Sequence, residues 1–393
     1  MAHGPSSFLP VLFAFVLALS GCVAGRSVAP DSGAVRPSPL PLEAGVPVRQ
    51  WYMKTTDDVV HFVAENGTES SPGNVVVVIH GGWGAEHSYL LPAIRPLAGE
   101  YRFVLYDQRG SLRSPVKPPA KITYNALVED LDQLRQRLGL EKITIMAHSM
   151  GNHLAYGYLR AHPDRVAGLI LVGPTVPGPF GDERPAFLAD IWPDFGDRDA
   201  AAIAARQAEY DKSVFTRTLR IAADEGLIPF EAGSATPETV KSFGLKNVIT
   251  TDQEQTDWWR IQFTCVNTYN GRNWRQMLGG QVFYSVDAGQ AVLEDPDYQA
   301  ATREFWSALR SFRGPVRVII GTHDYVDLGP TMWPKLVEHV RDAAIDTIPS
   351  SGHAIWMDEP EVFTRSLRSA LAATTTGTWA GVASATPGGP RSP

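Results

Sequence analysis

The sequence predicts an α/β protein built on a doubly wound, mostly parallel sheet, with a helical segment inserted between two of its strands. Three observations lead to this fold class. Short β-branched and apolar runs alternate with stretches of helical periodicity. Most of the runs are apolar throughout, as in strands that are buried on both faces of a parallel sheet. The alternation stops after Pro174 and resumes after Pro315, which leaves one long interval between two strands.

The predicted strands are short and separated by helical patterns. An antiparallel edge hairpin comes first and parallel strands follow, over residues 48–54, 59–64, 75–79, 102–106, 143–146, 316–320 and 344–348. Between them, leucines recur at helical spacing at Leu127, Leu131, Leu134 and Leu138. A second helix is predicted over 152–161. Strand, helix and strand in succession imply right-handed crossovers.

The interval between the strands is rich in tryptophan. It holds half of the ten tryptophans of the chain, namely Trp192, Trp258, Trp259, Trp274 and Trp306. Its segments show helical patterns without the apolar runs of parallel strands. Open α/β sheets place their sites at the carboxyl ends of the strands, which such an insertion would cover. We therefore expect a helical lid over residues 176–312, between the two parts of the sheet domain at 48–175 and 313–373.

The composition excludes two classes of protein. The chain has 393 residues, with 35 basic and 42 acidic side chains, and its formal net charge is −7. Nucleic-acid binding requires a clustered Lys/Arg surface, so no nucleic-acid partner is expected. Hydrophobic residues make up 44% and charged residues 20%, which is too apolar for a disordered chain.

Residues 1–21 are typical of an export signal. They contain no Lys, Arg, Asp or Glu, and the apolar run Phe8–Leu19 is shorter than the roughly 20 residues that span a bilayer. The run leads into Leu19-Ser20-Gly21-Cys22, which resembles a bacterial lipoprotein signal cleaved before a lipidated cysteine. We therefore expect a membrane partner through a lipid anchor at Cys22, at the bacterial cell envelope.

Two alternatives to this anchor stay open, because the residues before the apolar run lack the usual positive charge. The protein is then secreted after cleavage of an ordinary signal, or it keeps a buried N-terminal segment. In either case Cys22 is free or pairs with Cys265, the other cysteine of the chain.

The segments that flank the domain lack the periodicity of packed elements. Residues 22–47 are rich in Pro, Ala, Gly and Ser, which predicts a flexible tether. Residues 374–393 repeat Thr, Gly, Ala and Pro, which predicts a disordered tail. Neither segment is expected to carry chemistry.

A serine follows the predicted strand at 143–146, within Ala147-His148-Ser149-Met150-Gly151. This segment nearly matches G-x-S-x-G, with Ala147 at the first glycine. Small residues are required there because a nucleophile elbow turns so sharply that larger side chains beside the serine would clash. By itself the match also fits a serine that only caps a helix.

Other strand ends supply the groups that a nucleophilic serine requires. His80-Gly81-Gly82-Trp83-Gly84 follows the strand at 75–79, and its glycines let backbone N–H groups approach a ligand. Asp324 follows the strand at 316–320, and His353 lies 353 − 324 = 29 residues further on. The chain order Ser, Asp, His is that of α/β-hydrolases rather than of chymotrypsin or subtilisin.

These positions predict a catalytic triad of Ser149, Asp324 and His353. His353 would take the proton of Ser149, and Asp324 would orient the imidazole and stabilise the imidazolium. Rivals for the two supporting roles lie in the same turns: His80, His148 and His323 for the base, and Asp327 for the acid.

The oxyanion of the reaction would be held by the backbone N–H of Met150 together with that of Gly82 or Trp83. No cofactor and no metal are expected, because the chain contains neither H-E-x-x-H nor G-x-x-x-x-G-K.

On these residues the sequence resembles the α/β-hydrolase fold, and within it the proline iminopeptidase-like branch. The segment His80-Gly81-Gly82-Trp83-Gly84 is similar to H-G-G-P-G of that branch, and Asp107-Gln108-Arg109-Gly110-Ser111-Leu112-Arg113-Ser114 is similar to its D-Q-R-G-x-G-x-S. The resemblance covers about residues 48–175 and 313–373. It implies hydrolysis of a small-molecule or short-peptide substrate at a peptide, amide or ester bond, with the lid selecting the substrate.

Three differences from the branch keep other functions open. Trp83 replaces a proline, Leu112 replaces a glycine, and the segment around Ser149 resembles esterases more than the G-G-S-W-G of the branch. A carboxylesterase or lactonase with the same triad is therefore the alternative enzyme. A binding lipoprotein that kept the fold without catalysis is the alternative outside enzymes.

The resemblance also directs attention to the lid, because aminopeptidases of this branch hold the substrate amine with lid carboxylates. Trp258-Trp259-Arg260-Ile261-Gln262 contains no carboxylate, but Glu254 and Asp257 lie just upstream. We take Trp258, Trp259, Glu254 and Asp257 as the candidate substrate-binding residues. For Asp107 and Arg109 we expect a structural ion pair beneath the site.

Overall fold

Apolar, β-branched runs form the centre of an eight-stranded sheet. The computed structural model describes residues 48–67, 74–118, 120–180, 183–192, 197–209, 268–269, 284–327 and 329–376. Within these ranges the strands are β1 (Val48–Lys54), β2 (Val60–Asn66), β3 (Val75–Ile79), β4 (Arg102–Tyr106), β5 (Ile143–His148), β6 (Val166–Val172), β7 (Val316–Gly321) and β8 (Ala343–Ile348). Every residue of β3, β5 and β7 is buried, as expected for strands covered on both faces.

The strand order is β1-β2-β4-β3-β5-β6-β7-β8. β1 pairs with β2 and β2 with β4 in antiparallel register, and all the other pairs are parallel. The predicted edge hairpin and the predicted doubly wound, mostly parallel sheet are therefore confirmed. The order reverses at β3, so the loops after β3 and β5 lie side by side at the carboxyl edge of the sheet.

Helices connect the parallel strands. In chain order they are α1 (Leu91–Ile94), α2 (Tyr124–Arg137), α3 (Gly151–Ala161), α4 (Arg184–Ile191), α5 (Asp197–Glu209), α6 (Val286–Leu293), α7 (Pro296–Thr302), α8 (Phe305–Ser311), α9 (Gly329–Leu336), α10 (Ile355–Asp358) and α11 (Pro360–Thr376). Short 3₁₀ turns lie at Ser88–Leu90, Arg95–Leu97, Pro163–Arg165 and Val337–His339. Among these helices, none combines the length and apolar character that crossing a bilayer requires.

Two buried clusters hold the layers together. On one face of the sheet α2 and α3 pack with α8, and the cluster includes Leu127, Leu154 and Phe305. On the other face α1, α10 and α11 cover a second cluster that includes Phe103 and Phe363. Because the central strands β3, β5 and β7 are covered on both faces, the loops at their ends start from fixed positions.

The structure differs from the sequence-based prediction in two places. β6 was not among the predicted strands, because Gly168 interrupts its apolar run; a Cβ at Gly168 would approach Thr374 to 2.9 Å. Helix α11 continues to Thr376, three residues into the segment predicted to be a disordered tail. Between β6 and β7 the described residues include helices α4 to α8 and no strand.

Candidate active site

Ser149 lies at a sharp turn between β5 and α3. Its φ of 55° is in the left-handed region, which costs a non-glycine residue energy and needs support from its surroundings. The Ser149 N–H donates to Val172 O at 3.2 Å, and Asn152 Nδ2 donates to Ser149 O at 2.8 Å. A Cβ at Gly151 would lie 2.6 Å from His80 O, so a larger residue does not fit there. These contacts are those of a nucleophile elbow.

His353 and Asp324 form a buried pair beside this turn. Nδ1 of His353 lies 2.8 Å from Oδ2 of Asp324, and the Val326 N–H donates to Oδ1 of Asp324 at 3.0 Å. The contact with Asp324 places the proton of the neutral ring on Nδ1. Nε2 is buried and has no hydrogen-bond partner among the described residues, Ser149 Oγ included. The unprotonated nitrogen is therefore free to accept a proton.

A glycine makes room for this pair. Gly173, directly after β6, has a φ of +48°, and a Cβ there would lie 2.8 Å from Nδ1 of His353 and 3.2 Å from Oδ2 of Asp324. Gly321 at the end of β7 is similarly close to the loop before His353, since its Cβ would lie 2.4 Å from Ser351 O. The end of β6 thus touches the pair directly, and the end of β7 touches the loop that leads to His353.

The loop after β3 covers the serine. A Cβ at Gly81 would lie 2.5 Å from Cβ of Ser149, and the next residue, Gly82, has a φ of 68°. Trp83 is buried, and its ring packs edge-on against Tyr298 at 5.6 Å, so its side chain is part of the core. The predicted oxyanion donors are the backbone N–H groups of Met150, which directly follows Ser149, and of residues 82–83, which directly follow Gly81.

The rival acid has different partners. Oδ2 of Asp327 accepts the Val176 N–H at 2.7 Å, and both its oxygens bind the guanidinium of Arg184 on α4. Asp327 therefore links the loop to the inserted helices, and Asp324 is the carboxylate that contacts His353.

A second arginine holds the same loop. Arg206 on α5 donates to Thr322 O at 3.3 Å and also to Asp324 O, and its guanidinium lies 4.6 Å from the ring centre of Tyr325. Helices α4 and α5 are thus each hydrogen-bonded, through one arginine, to the loop that carries Asp324.

The rival bases have other roles in the structure. His80 is buried and accepts the Gln108 N–H at Nε2, and burial lowers its pKa to about 4. His148 lies between Tyr89 and the backbone of His353. His323 contacts Thr322 Oγ1 through Nδ1 at 2.8 Å. Of the four histidines, His353 bonds Asp324.

The expectation of an ion pair between Asp107 and Arg109 is wrong. Arg109 forms a two-pronged bond to Asp130 at 2.6 Å on each side and reaches Asp57 at 2.9 Å. Asp107 instead accepts from the backbone and the ring of His87, at 3.1 and 2.6 Å. Asp107 and Arg109 point to different neighbours because they are two residues apart in a turn. Both remain buried structural residues beneath the site.

Within the described ranges, one group of side chains has the composition of a metal-ligand set: Glu86, His87 and Asp107. All three are buried, and the short bond between the His87 ring and Asp107 uses the atoms that a metal would need. Burial raises the pKa of Glu86. Burial is the largest influence on Asp107 and would raise its pKa, but the charge and the hydrogen bond of His87, together with the charges of His80 and Arg113, lower that pKa on balance. The group therefore already forms an internal ion pair.

The remaining predicted site residues lie outside the described ranges. These are Cys22 and the lid candidates Trp258, Trp259, Glu254 and Asp257. Conversely, sequence reasoning did not identify Tyr89 or Asn152. Asn152 had a usable signal, since it follows the G-x-S-x-G-like segment at the head of a helix. Tyr89 had none, because its partner is 59 residues away.

Comparison with known proteins agrees with this geometry. The family model described as the alpha/beta hydrolase fold matches residues 74–360. A proline iminopeptidase of Heyndrickxia coagulans is 33% identical over 116 residues, which are 29% of this chain and 40% of that protein. The chain thus matches well under half the length of this curated relative.

Two solved structures share the fold. The proline iminopeptidase-related protein of Thermus thermophilus has a TM-score of 0.55 and 23% identity, over 84% of this chain and 100% of that one. A thermophilic esterase of Thermogutta terrifontis has a TM-score of 0.55 and 18% identity, over 84% and 100% of the respective chains. At these identities the two structural matches support the fold and nothing more specific.

Proposed function

The chain belongs to the α/β-hydrolase fold family, and on this premise we propose that it is a serine hydrolase that cleaves a small peptide, amide or ester through an acyl-enzyme on Ser149. One observation carries the proposal. Ser149, in the left-handed elbow conformation, directly follows His148, whose ring centre lies 4.5 Å from that of His353; His353 forms a buried pair with Asp324, and its Nε2 has no partner among the described residues. An unprotonated imidazole nitrogen in such surroundings is what a general base requires.

In the proposed reaction His353 Nε2 takes the proton of Ser149 while Oγ bonds to the substrate carbonyl carbon. The resulting oxyanion accepts hydrogen bonds from the backbone N–H groups of Met150 and of Gly82 or Trp83. Asp324 keeps the imidazole oriented and stabilises its positive charge. Nε2–H then protonates the leaving amine or alcohol, and a water molecule, activated by the same nitrogen, releases the acid and restores Ser149.

The substrate we favour is an amide or peptide at the free amino end of a small molecule, as for a proline iminopeptidase. The D-Q-R-G segment supports this assignment, and so does the similarity to the relative from Heyndrickxia coagulans. The alternative is a carboxylesterase or lactonase, which the elbow sequence around His148 and Met150 supports. Both use the same triad, so the substrate distinguishes them.

A two-stage experiment tests the proposal. First, a fluorophosphonate probe should label the wild-type protein and should fail to label Ser149→Ala. Second, a panel of aminoacyl-arylamides and acyl esters should be cleaved by the wild type, with Ser149→Ala retaining less than about one per cent of the rate. An unlabelled, inactive wild type would favour the binding lipoprotein, and labelling of Ser149→Ala would remove Ser149 from the mechanism.

We also propose that the enzyme is anchored at the bacterial cell envelope by lipid on Cys22. The support is the sequence alone: the apolar run Phe8–Leu19 followed by Leu19-Ser20-Gly21-Cys22. A lipoprotein carries more than one acyl chain, and one chain alone gives only marginal membrane binding. The wild type should therefore partition into detergent, whereas Cys22→Ser should stay unprocessed or lose its lipid. Aqueous partition with a mature N-terminus other than Cys22 would contradict the anchor and favour secretion.

A further inference from the structure

A chain of buried hydrogen bonds joins the three loops of the site. The Gly81 N–H donates to the hydroxyl of Tyr89 at 2.6 Å. That hydroxyl lies 2.8 Å from Nδ1 of His148, and Nε2 of His148 lies 3.3 Å from the carbonyl oxygen of His353. The chain therefore starts in the loop over Ser149, passes through the elbow and ends on the backbone of His353.

The donors and acceptors in this chain allow one arrangement of protons. The His353 carbonyl can only accept a hydrogen bond, so Nε2 of His148 carries the proton between them, and Nδ1 of the neutral ring is an acceptor. Burial raises the pKa of Tyr89, so its hydroxyl keeps its proton; it accepts a hydrogen bond from the Gly81 N–H and donates one to Nδ1 of His148. Burial is the main cause that lowers the pKa of His148 well below its usual range, and the charge of the nearby His353 lowers it further. The His148 ring is therefore neutral.

The two side chains fix groups that the proposed reaction depends on. Gly81 immediately precedes Gly82, one of the predicted oxyanion donors, and lies against Ser149. Holding the Gly81 N–H fixes the orientation of this loop. At the other end, holding the His353 carbonyl fixes the backbone from which the base extends. A displacement of about 1 Å in a catalytic group can reduce the rate about a hundredfold, so both hydrogen bonds matter for the proposed reaction.

We propose that Tyr89 and His148 are positioning residues that align the oxyanion loop with the base through this hydrogen-bond chain. The inference rests on the proposed serine hydrolase function. His148 has a second consequence because its ring centre lies 4.5 Å from that of His353. A neutral His148 adds no repulsion when His353 takes up the proton of Ser149.

Packing alone makes a different prediction. Tyr89 contacts His148 edge-on at 5.5 Å, and His148 contacts Trp356 at 5.0 Å. Tyr89→Phe keeps these ring contacts and removes only the hydroxyl. If the residues serve packing, this variant has normal turnover.

The test combines Tyr89→Phe with two substitutions of His148. Tyr89→Phe should lower kcat at least about tenfold while KM changes less than about twofold. His148→Gln, whose amide N–H can reach the His353 carbonyl, should retain more activity than His148→Asn, whose amide is too short. Tyr158→Phe is the matched control. Tyr158 lies on α3, away from the three loops, and the variant removes a buried hydroxyl that donates to Asp132 at 2.9 Å. It should keep wild-type kcat.

A second measurement does not depend on activity. Nitrogen NMR of histidine-labelled protein should show His148 as the neutral tautomer with Nε2 protonated, and Tyr89→Phe should perturb that signal. Wild-type kcat in Tyr89→Phe, or a His148 protonated at Nδ1, would overturn the inference. A protein with the expected tautomer that hydrolyses nothing would instead count against the proposed function, so the two failures are distinguishable.

Discussion

Gly173 lies against the ring of His353, so closely that a Cβ on Gly173 would approach Nδ1 to 2.8 Å. The backbone there has a φ of +48°, which glycine adopts without strain. The space beside the His353–Asp324 pair is therefore set by the absence of a single carbon atom at the end of β6.

We expect Gly173→Ala to lower kcat at least about tenfold, because the new methyl group must displace His353 from Asp324. The strained backbone should also cost about 1–2 kcal/mol of stability. Gly139→Ala separates the two effects, since Gly139 has a φ of +70° with nothing within 4 Å of its Cβ position. It should lose stability and keep activity. Equal kinetic losses in both variants would mean that backbone strain, not contact with His353, limits catalysis.

Asp324→Asn should reduce kcat by roughly 10⁴-fold, as in an analogous triad, because the amide favours the wrong tautomer of His353. Asp327→Asn should instead keep kcat within a few-fold and lower the thermal midpoint, because it weakens the pair with Arg184. Steady-state kinetics and thermal unfolding of both variants check this. The reverse pattern would make Asp327 the catalytic acid.

Arg109→Met should destabilise the protein by about 3–5 kcal/mol, because it leaves the buried carboxylate of Asp130 without its two-pronged partner. Adding Asp130→Asn should recover part of the loss. Arg303→Met is the control: its pair with Glu183 is solvent-exposed and should contribute little. Urea unfolding measures all three. A loss in Arg109→Met no larger than in the control would contradict the assignment of a structural ion pair.

The free energy of unfolding should decrease as the pH falls from about 6.5 towards 4. Burial lowers the pKa of His80 to about 4 and that of His153 to about 3, so the unfolded chain binds more protons than the folded one in this window. His87 acts in the opposite direction. Burial is the largest influence and would lower its pKa, but the charge and hydrogen bond of Asp107 and the charge of Glu86 together raise it, which favours the folded state at acid pH.

His153→Gln tests this pH dependence. Its ring stacks on Phe180 at 4.8 Å and lies 2.8 Å from the Tyr298 hydroxyl. The variant should show a shallower loss of stability between pH 6.5 and 4 than the wild type, whatever its stability at pH 7. His339→Gln, at an exposed position, is the control and should retain the wild-type slope. An unchanged slope in His153→Gln would show that His153 does not titrate on unfolding.

If the enzyme is an aminopeptidase, it must hold an ammonium group, and Glu254 and Asp257 are the candidate partners. Glu254→Gln with Asp257→Asn should raise KM for free-amine substrates and leave KM for N-blocked esters unchanged. Equal effects on the two substrate classes would mean that these carboxylates serve the lid, and the esterase alternative would then lead.

The backbone of the site could be predicted from the sequence because each residue of the predicted triad lies in the loop after a strand: Ser149 after β5, Asp324 after β7 and His353 after β8. Ser149, Asp324 and His353 come together simply because parallel strands end at one edge. β6 escaped prediction because Gly168 breaks the apolar pattern that identified the other strands.

Side-chain partners were less predictable. Arg109 binds Asp130, 21 residues away, and Asp57, 52 residues away, although Asp107 is its nearest acidic neighbour in sequence. The turn directs Asp107 towards His87 instead. Such pairings depend on the direction in which each side chain projects from the loop, and the hydrophobic periodicity of a sequence does not determine that direction.

The hydrogen bonds from Arg184 and Arg206 to residues 322–327 limit how the inserted helices of this enzyme can be replaced. The two arginines belong to the inserted helices, and they bind the loop that carries Asp324. Exchanging these helices for those of a relative would remove both contacts at once. In a chimeric enzyme, exchanged helices would therefore also misplace Asp324 unless both arginines were carried over.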